Sequence, residues 1–519
     1  MNIQEKVVIL DFGGQYAHLI ARRVRELGVY SEIVPWNVNL ATLLKLKPKA
    51  IILSGGPSSV LEDEAPKPRK EVLSYFLSGK VPLLGICYGH QLLSLMAGGK
   101  VSKGNKGEYG PSILKIKKFD LLFSETPPSQ KVWMSHRDYV EVPPPNATVL
   151  ASTKYSKIAA LKYDEHIYSL QFHPEVKHTE HGKKILSNFL YKVARLNAVW
   201  KIDNITRHVM ERVNKEYKGG NILAAVSGGV DSLTAAYIVS LVAGKENLHA
   251  VFIDTGLLRK GEAKEVLSLL RKLGFKYVHF INASRRFLER LRGVTDPEEK
   301  RKIIAITFAE IFTETKNKLE KKFGSFTYLV QGTIYPDRIE SGKVGSNSAK
   351  IKSHHNVVMP KLNIKILEPL AELYKDEVRK LALKLGLSKE LALKHPFPGP
   401  GLAVRIIGEV TEEKLRVIRK ATAIVEEELK RNNFYESLWQ AFPVLLPFKS
   451  VGVMGDMRTY EYVIALRFVI SEDAMTAEFA KMKWELLEKI ATRIVNEVEG
   501  VNRVLYDLTN KPPATIEFE

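Results

Sequence analysis

Four short apolar runs mark the first third of the chain: Val7–Leu10, Ala50–Leu53, Pro82–Ile86 and Ile167–Phe172. Helical patterns or polar loops separate them, and strands alternating with helices predict an α/β domain. A basic helical pattern over Gly182–Arg195 closes this region, and the pattern restarts near Asn197–Asp203. In the middle third, Ile222–Val226, Ala250–Ile253, Tyr277–Ile281 and Tyr328–Val330 are expected as buried parallel strands with helices between them. The segment His395-Pro396-Phe397-Pro398-Gly399-Pro400-Gly401 marks its end, because so many prolines fit neither a helix interior nor a central strand. Beyond it, strands near Val404–Val410, Ser450–Met454, Tyr462–Ile470 and Arg503–Leu508 accompany helices near Glu412–Arg431 and Ala477–Val498. The organisation expected is three domains, 1–197, 198–398 and 399–519, the first two α/β and the last α+β, without internal repeats.

A chain of 519 residues, 45% hydrophobic and 26% charged, has ordinary globular composition and ample length for several cores. One cysteine excludes a disulfide framework and an all-cysteine zinc site. No apolar run approaches a bilayer span, and Met1–Lys6 leads straight into strand pattern without a secretory h-region. A cytoplasmic protein with no membrane partner is expected. The formal charge of +20 comes from lysines and arginines spread along the whole chain. That spread favours a general field attracting anionic ligands such as nucleotides over a dedicated nucleic-acid surface. A charge-rich surface of the thermophile kind accounts for the same count.

The only cysteine lies in Gly85-Ile86-Cys87-Tyr88-Gly89, with apolar Val81–Ile86 before it and a helical pattern, Gln91–Ala97, after it. A strand, a tight turn carrying the cysteine and a helix make the cysteine version of the G-x-S-x-G nucleophile elbow. The glycines suit a turn too sharp for side chains, and the helix N-terminus favours the thiolate. A lone cysteine is otherwise most often an inert small hydrophobe; the glycines and the setting argue for a nucleophile. His173-Pro174-Glu175 follows the strand Ile167–Phe172. Side chains two apart in an extended segment point the same way, so His173 is expected to face the sulfur with Glu175 on its other ring nitrogen. Attack on an amide would form a thioester and release ammonia. Oxyanion donors are expected from Gly55 and Gly56 in Ser54-Gly55-Gly56-Pro57 and from the amide of Tyr88. Together these residues resemble the class I (triad) glutamine amidotransferases. The resemblance implies Cys87 as nucleophile, His173 as base, Glu175 as orienting acid, and glutamine contacts from Gln91, Ser135 and His136. Arg137 stands where many members have glycine.

A second motif, Ser227-Gly228-Gly229-Val230-Asp231-Ser232, follows the strand Ile222–Val226 and precedes a helical run, Leu233–Val242. Two glycines let the backbone come close, its amides and the helix N-terminus form an anion nest, and Ser227 and Ser232 add hydroxyls. No lysine lies in the loop, so it is not a Walker A motif. A helix N-cap would also use serine or aspartate, but the whole hexapeptide after a buried strand points further. It resembles the PP-loop of ATP pyrophosphatases, which transfer AMP to an oxygen. Asp231 in a phosphate cradle suggests Mg²⁺ accompanying ATP. Phe252-Ile253-Asp254-Thr255-Gly256 and Gln331-Gly332-Thr333-Ile334-Tyr335-Pro336-Asp337 end neighbouring strands, where open parallel sheets bind ligands. The polar stretch Ile339–Asn356 reads as a lid, with Asp337, Glu340, Lys352, His354, His355 and Asn356 as its candidate active-site groups.

A domain that frees ammonia joined to one that activates an oxygen with AMP implies that ammonia displaces the AMP. The whole chain resembles the glutamine-hydrolysing GMP synthetases of the two-activity bacterial type. Asp11–Tyr16, Gly85–Gly89, Ser227–Ser232, Lys352–Asn356, His395–Gly401, Gly452–Asp456 and Lys511–Glu517 carry that resemblance. It implies an amidotransferase domain, a PP-loop domain of the adenine nucleotide α hydrolase-like kind and a C-terminal dimerisation domain. It also implies ATP, glutamine and xanthosine monophosphate (XMP) as substrates, a homodimer, and no nucleic-acid partner. Arg301, Gln440, Arg503, Lys511, Ile516 and Glu517 take XMP-binding positions by the same resemblance. Arg301 reads equally well as part of a solvated charge run, Glu298–Lys302. Asn356-Val357-Val358-Met359-Pro360 is one residue shorter than the family's Asn-Val-Gly-Gly-Leu-Pro and lacks its glycines. A PP-loop enzyme acting on tRNA would need an RNA module or a thiol-transferring cysteine, and neither is visible.

Overall fold

The computed structural model describes residues 5–340, 364–471, 474 and 476–519. They divide into two compact units, one up to Arg207 and one from His208 on.

The first unit is built on a nine-stranded sheet. Its strands are β1 (Lys6–Asp11), β2 (Tyr30–Pro35), β3 (Ala50–Leu53), β4 (Leu83–Ile86), β5 (Lys100–Ile116), β6 (Ser129–Val142), β7 (Thr148–Ser152), β8 (Ala160–Lys162) and β9 (Ile167–Leu170). Across the sheet they run β2-β1-β3-β4-β9-β8-β7-β5-β6. The pairings from β2 to β9 in that order are parallel, and those beyond are antiparallel. The expected strands are there because β3, β4 and β9 are buried at every position and, apart from Ser169, carry no polar residue beyond the Tyr168 hydroxyl. The antiparallel wing was not anticipated: β6 alternates buried and exposed residues through most of its length, so it contains no continuous apolar run. The helix expected over Gly182–Arg195 is α-helical only to Asn188 and continues as a π-helical turn, Phe189–Val193.

The second unit opens with five parallel strands, β10 (Asn221–Ala225), β11 (Leu248–Asp254), β12 (Tyr277–Asn282), β13 (Phe326–Val330) and β14 (Lys365–Leu367). Their order is β12-β11-β10-β13-β14. The chain moves outward from β10 on one side and restarts on the other with β13, so a switch point lies between these two strands, at whose carboxyl ends such sheets bind ligands. The expectation that Tyr277–Ile281 is buried is corrected: β12 is the edge strand, none of it is fully buried, and Phe280 is 42% exposed.

A second sheet follows, of β15 (Gln440–Met454), β16 (Met457–Ile470), β17 (Glu478–Phe479) and β18 (Val501–Tyr506), with β18 parallel to β16. Two further expectations are corrected here. Val404–Val410 is not a strand. Gly401 and Leu402 donate to Pro398 and Leu257, Gly401–Arg405 forms a 3₁₀ turn, and only Ile406 bridges to β15. The last long helix begins at Trp484 rather than Ala477, because Glu478–Phe479 pairs with β16. One hydrophobic core joins both sheets of this unit. It contains Leu223 and Val251 from the parallel sheet, Ile418 and Val425 from the helix Glu412–Arg431, and Ile464 and Ile490 from the last part.

Candidate active sites

β3, β4 and β9 are neighbours, so the residues that follow them emerge side by side: Ser54–Gly56, Cys87 and His173. Cys87 sits between β4 and the helix Tyr88–Met96 at φ +52° and ψ −101°. Such a backbone is strained for a residue with a Cβ, and the surroundings must impose it. Its N–H donates to Leu170 of β9 at 2.7 Å, and its carbonyl accepts from His90 at 3.1 Å. The flanking glycines are required by close approach. A Cβ on Gly89 would lie 2.7 Å from the Leu53 oxygen, and one on Gly85 would lie 2.6 Å from the Gly89 oxygen.

The His173 ring lies beside the Cys87 side chain at the Gly55 wall, and its Nδ1 lies 2.7 Å from Glu175 Oε1. Burial disfavours the imidazolium more than any other single influence. The charges of Glu175 and Cys87 lead the influences that together outweigh it and hold His173 well above the usual histidine range. Gly55 forms a wall against both: a Cβ there would lie 3.0 Å from His173 Cε1 and 3.5 Å from Cys87 Cβ. Ser54 Oγ steadies this loop by accepting from Phe12 N at 3.1 Å and donating to the Gly55 oxygen at 2.9 Å. β6 closes another side, where the Trp133 oxygen accepts from His173 N at 3.0 Å and the Ser135 oxygen from Cys87 Sγ at 3.6 Å.

The side chains of three other expected residues are engaged within the protein. The Tyr88 ring packs on Phe12, and its hydroxyl donates to the Pro66 oxygen at 2.9 Å. Gln91 Nε2 donates to the Asp138 oxygen at 2.6 Å and to Gln171 Oε1 at 3.2 Å. His136 Nδ1 lies 2.9 Å from the Asp138 oxygen, and its Nε2 lies 3.3 Å from Glu108 Oε2. Glu108 also accepts from Ser112, Thr153 and Ser156. Burial alone would raise its pKa, but these hydrogen bonds and that from His136 bring it below the usual carboxylate range. Sequence reasoning missed Glu108, since three of its partners, His136, Thr153 and Ser156, are 28 to 48 positions away, on β6 and in the loop after β7.

In the second unit, Ser227–Ser232 follows β10 at the switch point. Gly228 has φ +81°, which only glycine adopts without strain, and the helix Val230–Ala243 starts directly after Gly229. Ser227 and Ser232 face each other, Oγ to Oγ, at 3.0 Å. The loop after β13 lies against this turn: a Cβ on Gly332 would lie 2.8 Å from Ser232 N. Asp231 Oδ2 pairs with Lys375 Nζ at 2.5 Å, and its Oδ1 is buried with no hydrogen-bond partner. Lys375, at the start of the helix Lys375–Lys384, supplies the cation that the loop itself lacks, and sequence reasoning missed it. Asp337 lies in the helix Tyr335–Glu340, where its Oδ2 accepts from Ile334 N at 3.0 Å. Glu340 ends that helix, whereas Lys352, His354, His355, Asn356 and the shortened Val357–Pro360 segment lie outside the described residues. Among the described residues no group of three or more His, Cys, Asp and Glu side chains could hold a metal ion by itself.

Of the residues expected at XMP, Gln440 and Glu517 are brought together, Nε2 to Oε1 at 3.0 Å. Arg405, also missed, grips Glu517 through Nε and a terminal nitrogen at 3.2 and 3.0 Å, between the rings of Phe397 and Phe442. Arg301 donates to the main-chain oxygen of Glu519, two residues further on. Ile516 is buried in a small cluster with Phe442 and Val469. Arg503 and Lys511 are engaged elsewhere, Arg503 with Ser450 Oγ at 3.1 Å and Lys511 with the Ala474 oxygen at 2.8 Å.

Three family models match the chain: Glutamine amidotransferase class-I over residues 8–193, NAD synthase over 201–297, and GMP synthase C terminal domain over 427–518. Proteins named GMP synthase (glutamine-hydrolyzing) match it along their whole length. That of Thermosipho melanesiensis is 52% identical over 522 residues, with 99% of each chain covered. That of Aquifex aeolicus is 49% identical over 516 residues, again with 99% of each chain covered. That of Pyrobaculum aerophilum is 49% identical over 515 residues with the same coverage. Half the residues identical along both full lengths, with three family models matched in turn along the chain, leaves one conclusion: the chain belongs to the glutamine-hydrolysing GMP synthase family.

Proposed function

We propose that the chain makes GMP from XMP, spending ATP to adenylate the C2 oxygen of the xanthine ring and using glutamine-derived ammonia to displace AMP. The products are GMP, AMP, pyrophosphate and glutamate. The observation that carries this reading is the presence in one chain of two sites: a strained cysteine elbow beside a carboxylate-backed histidine, and a glycine- and serine-lined loop opening a helix at a sheet switch point. An assay with ATP, Mg²⁺, XMP and amide-labelled glutamine tests it. Labelled GMP appearing with AMP and pyrophosphate is the expected result; ATP cleavage without GMP rejects XMP as the substrate.

In the first unit His173 takes the Cys87 proton, and the thiolate attacks the amide carbon of glutamine. The N–H groups of Gly56 and Tyr88 hold the developing oxyanion, and the imidazolium then protonates the departing ammonia. Water hydrolyses the thioester with His173 as base. In the second unit the backbone of Ser227–Ser232 and the two serine hydroxyls hold the β- and γ-phosphates. The C2 oxygen of XMP attacks the α-phosphorus, pyrophosphate leaves, and ammonia then replaces AMP at C2. The buried, unpartnered Oδ1 of Asp231 fits a cation ligand. Mg²⁺ arriving with ATP would be held there and would neutralise phosphate charge. Arg301, Gln440, Arg503, Lys511, Ile516 and Glu517 serve XMP.

Glu175 sets the pH range of the first reaction. The active form is thiolate with imidazolium, and the Glu175 charge keeps the imidazolium protonated to higher pH. Glu175→Gln removes that charge but leaves the burial, so the His173 pKa falls. The alkaline limb of glutaminase kcat/KM is expected to move to lower pH, with a rate loss of about 10²–10⁴. A limb that stays in place in a pH–rate profile rejects this role.

The β15–β16 hairpin exposes Val453, Met457 and Tyr460 to 74%, 71% and 62%. An apolar tip of this kind supports a homodimer in which a second copy covers it. Val453→Asp with Met457→Asp is expected to sediment as a monomer, and a variant that stays dimeric moves the interface elsewhere. A single cysteine used as a reactive thiol suits a reducing cytoplasm, and among the described residues no helix is long and apolar enough to cross a membrane.

A further inference from the structure

The segment Thr509–Glu519 carries Lys511, Ile516 and Glu517, and three buried cations from three different elements hold it. Arg467, fully buried on β16, donates to the main-chain oxygens of Thr509, Thr515 and Ile516 and pairs with Asp507 at 3.2 Å. Arg405 grips the Glu517 carboxylate. Lys300, on the helix Pro297–Phe323, takes Glu519.

The Lys300 site is closed and fully used. Its side chain is 0% exposed and that of Glu519 is 6% exposed. The ammonium has three donors, which meet the Ala403 oxygen at 3.3 Å, the Ile406 oxygen at 2.8 Å and Glu519 Oε2 at 2.5 Å. Gly408 N donates to the other carboxylate oxygen at 3.2 Å. Next along the helix, Arg301 donates to the Glu519 main-chain oxygen. Glu517 and Glu519 are two residues apart and both carboxylates are held by buried cations, while Phe518 between them is 40% exposed. Seating Glu519 therefore fixes the register of Glu517 and, through its main chain, the guanidinium of Arg301.

We propose that Glu519, seated on Lys300, is a positioning residue that sets affinity for the purine nucleotide by holding Glu517 and Arg301 in register, without touching the reacting atoms. This rests on the reading of Glu517 and Arg301 as nucleotide contacts. A buried ammonium that loses its carboxylate retains only neutral carbonyls, so the latch is an ion pair that fails when one partner is removed.

The test uses the full chain with ammonium salt as nitrogen donor, which leaves glutamine hydrolysis out of the readout. Glu519→Ala is expected to raise KM for XMP about tenfold or more, with kcat at saturating XMP and KM for ATP within about twofold. Glu519→Gln keeps an acceptor for Lys300 and is expected to recover most of the affinity. The double variant Lys300→Met with Glu519→Leu removes both charges, which protects folding, and is expected to keep the raised KM. A KM for XMP that stays at the parent value in Glu519→Ala or in the double variant overturns the proposal. So does a loss shared equally by kcat, KM for ATP and thermal stability, which is what a merely structural residue gives. Glu517→Ala separates the two layers. An unchanged KM for XMP there removes the underlying reading, whereas a raised KM there beside a parental KM in Glu519→Ala removes the latch alone.

Discussion

Cys87→Ala is expected to lower glutamine-dependent GMP synthesis by a factor of about 10⁴ or more while synthesis from ammonium salt continues at a similar rate. The chain has no other cysteine to take over the attack. The backbone at this position is imposed by the hydrogen bond to Leu170 and by the close packing of Gly85, Gly89 and Leu53, none of which involves the sulfur. Alanine should therefore sit in the same strained turn and leave the fold intact. His173 would lose one of the two charges that raise its pKa and would return toward the ordinary histidine range. The measurement is a paired assay of the purified variant with glutamine and with ammonium chloride. Loss of both activities in a folded variant would show that the cysteine serves the synthetase chemistry, and the two-site reading would fall.

Asp231→Asn is expected to lower synthesis from either nitrogen source by about 10²–10³, with a higher Mg²⁺ requirement. The amide keeps the size of the side chain and removes its charge, so a loss reports on electrostatics rather than packing. In the parent protein Oδ1 is buried without a partner while Oδ2 is paired with Lys375. That asymmetry leaves one oxygen free for a cation and the other tied to an ammonium close to the phosphate nest. The Asp231–Lys375 pair is partly exposed, so its loss should alter thermal stability little. ATP–pyrophosphate exchange in the presence of XMP isolates the adenylation step. An exchange rate equal to that of the parent protein would remove Asp231 from phosphate chemistry.

Both centres were legible in the sequence because each is local. Cys87 and its glycines, or Ser227 to Ser232, fall within a few residues, and each follows an apolar run that could only be a buried strand. His173 was legible for the same reason, since it follows β9 and Glu175 lies two residues on. What supports those groups is non-local and left no pattern. Lys375 meets Asp231 across 144 positions and Lys300 meets Glu519 across 219. Lys300 reads as one more charge in a charged helix, and only the fold shows that it is fully buried. The antiparallel strand β6 was missed because one of its faces is polar, so an apolar-run criterion passes over it, and β8 because three residues are too short a run to register. The strand expected at Val404–Val410 failed for the opposite reason. Val404, Ile406 and Val410 are buried as anticipated, but the segment begins inside the 3₁₀ turn Gly401–Arg405 and meets a strand only where Ile406 bridges to Leu445 and Ile407 N donates to the Leu445 oxygen.

The core that joins Leu223 and Val251 to Ile464 and Ile490 has a consequence for how this half of the protein melts and can be re-engineered. No cut at the proline-rich connector leaves two closed interiors, since the helix Glu412–Arg431 would present a bare apolar face to water on either side of it. The residues from His208 on should thus give a single calorimetric transition, and should be exchangeable between relatives only as one cassette.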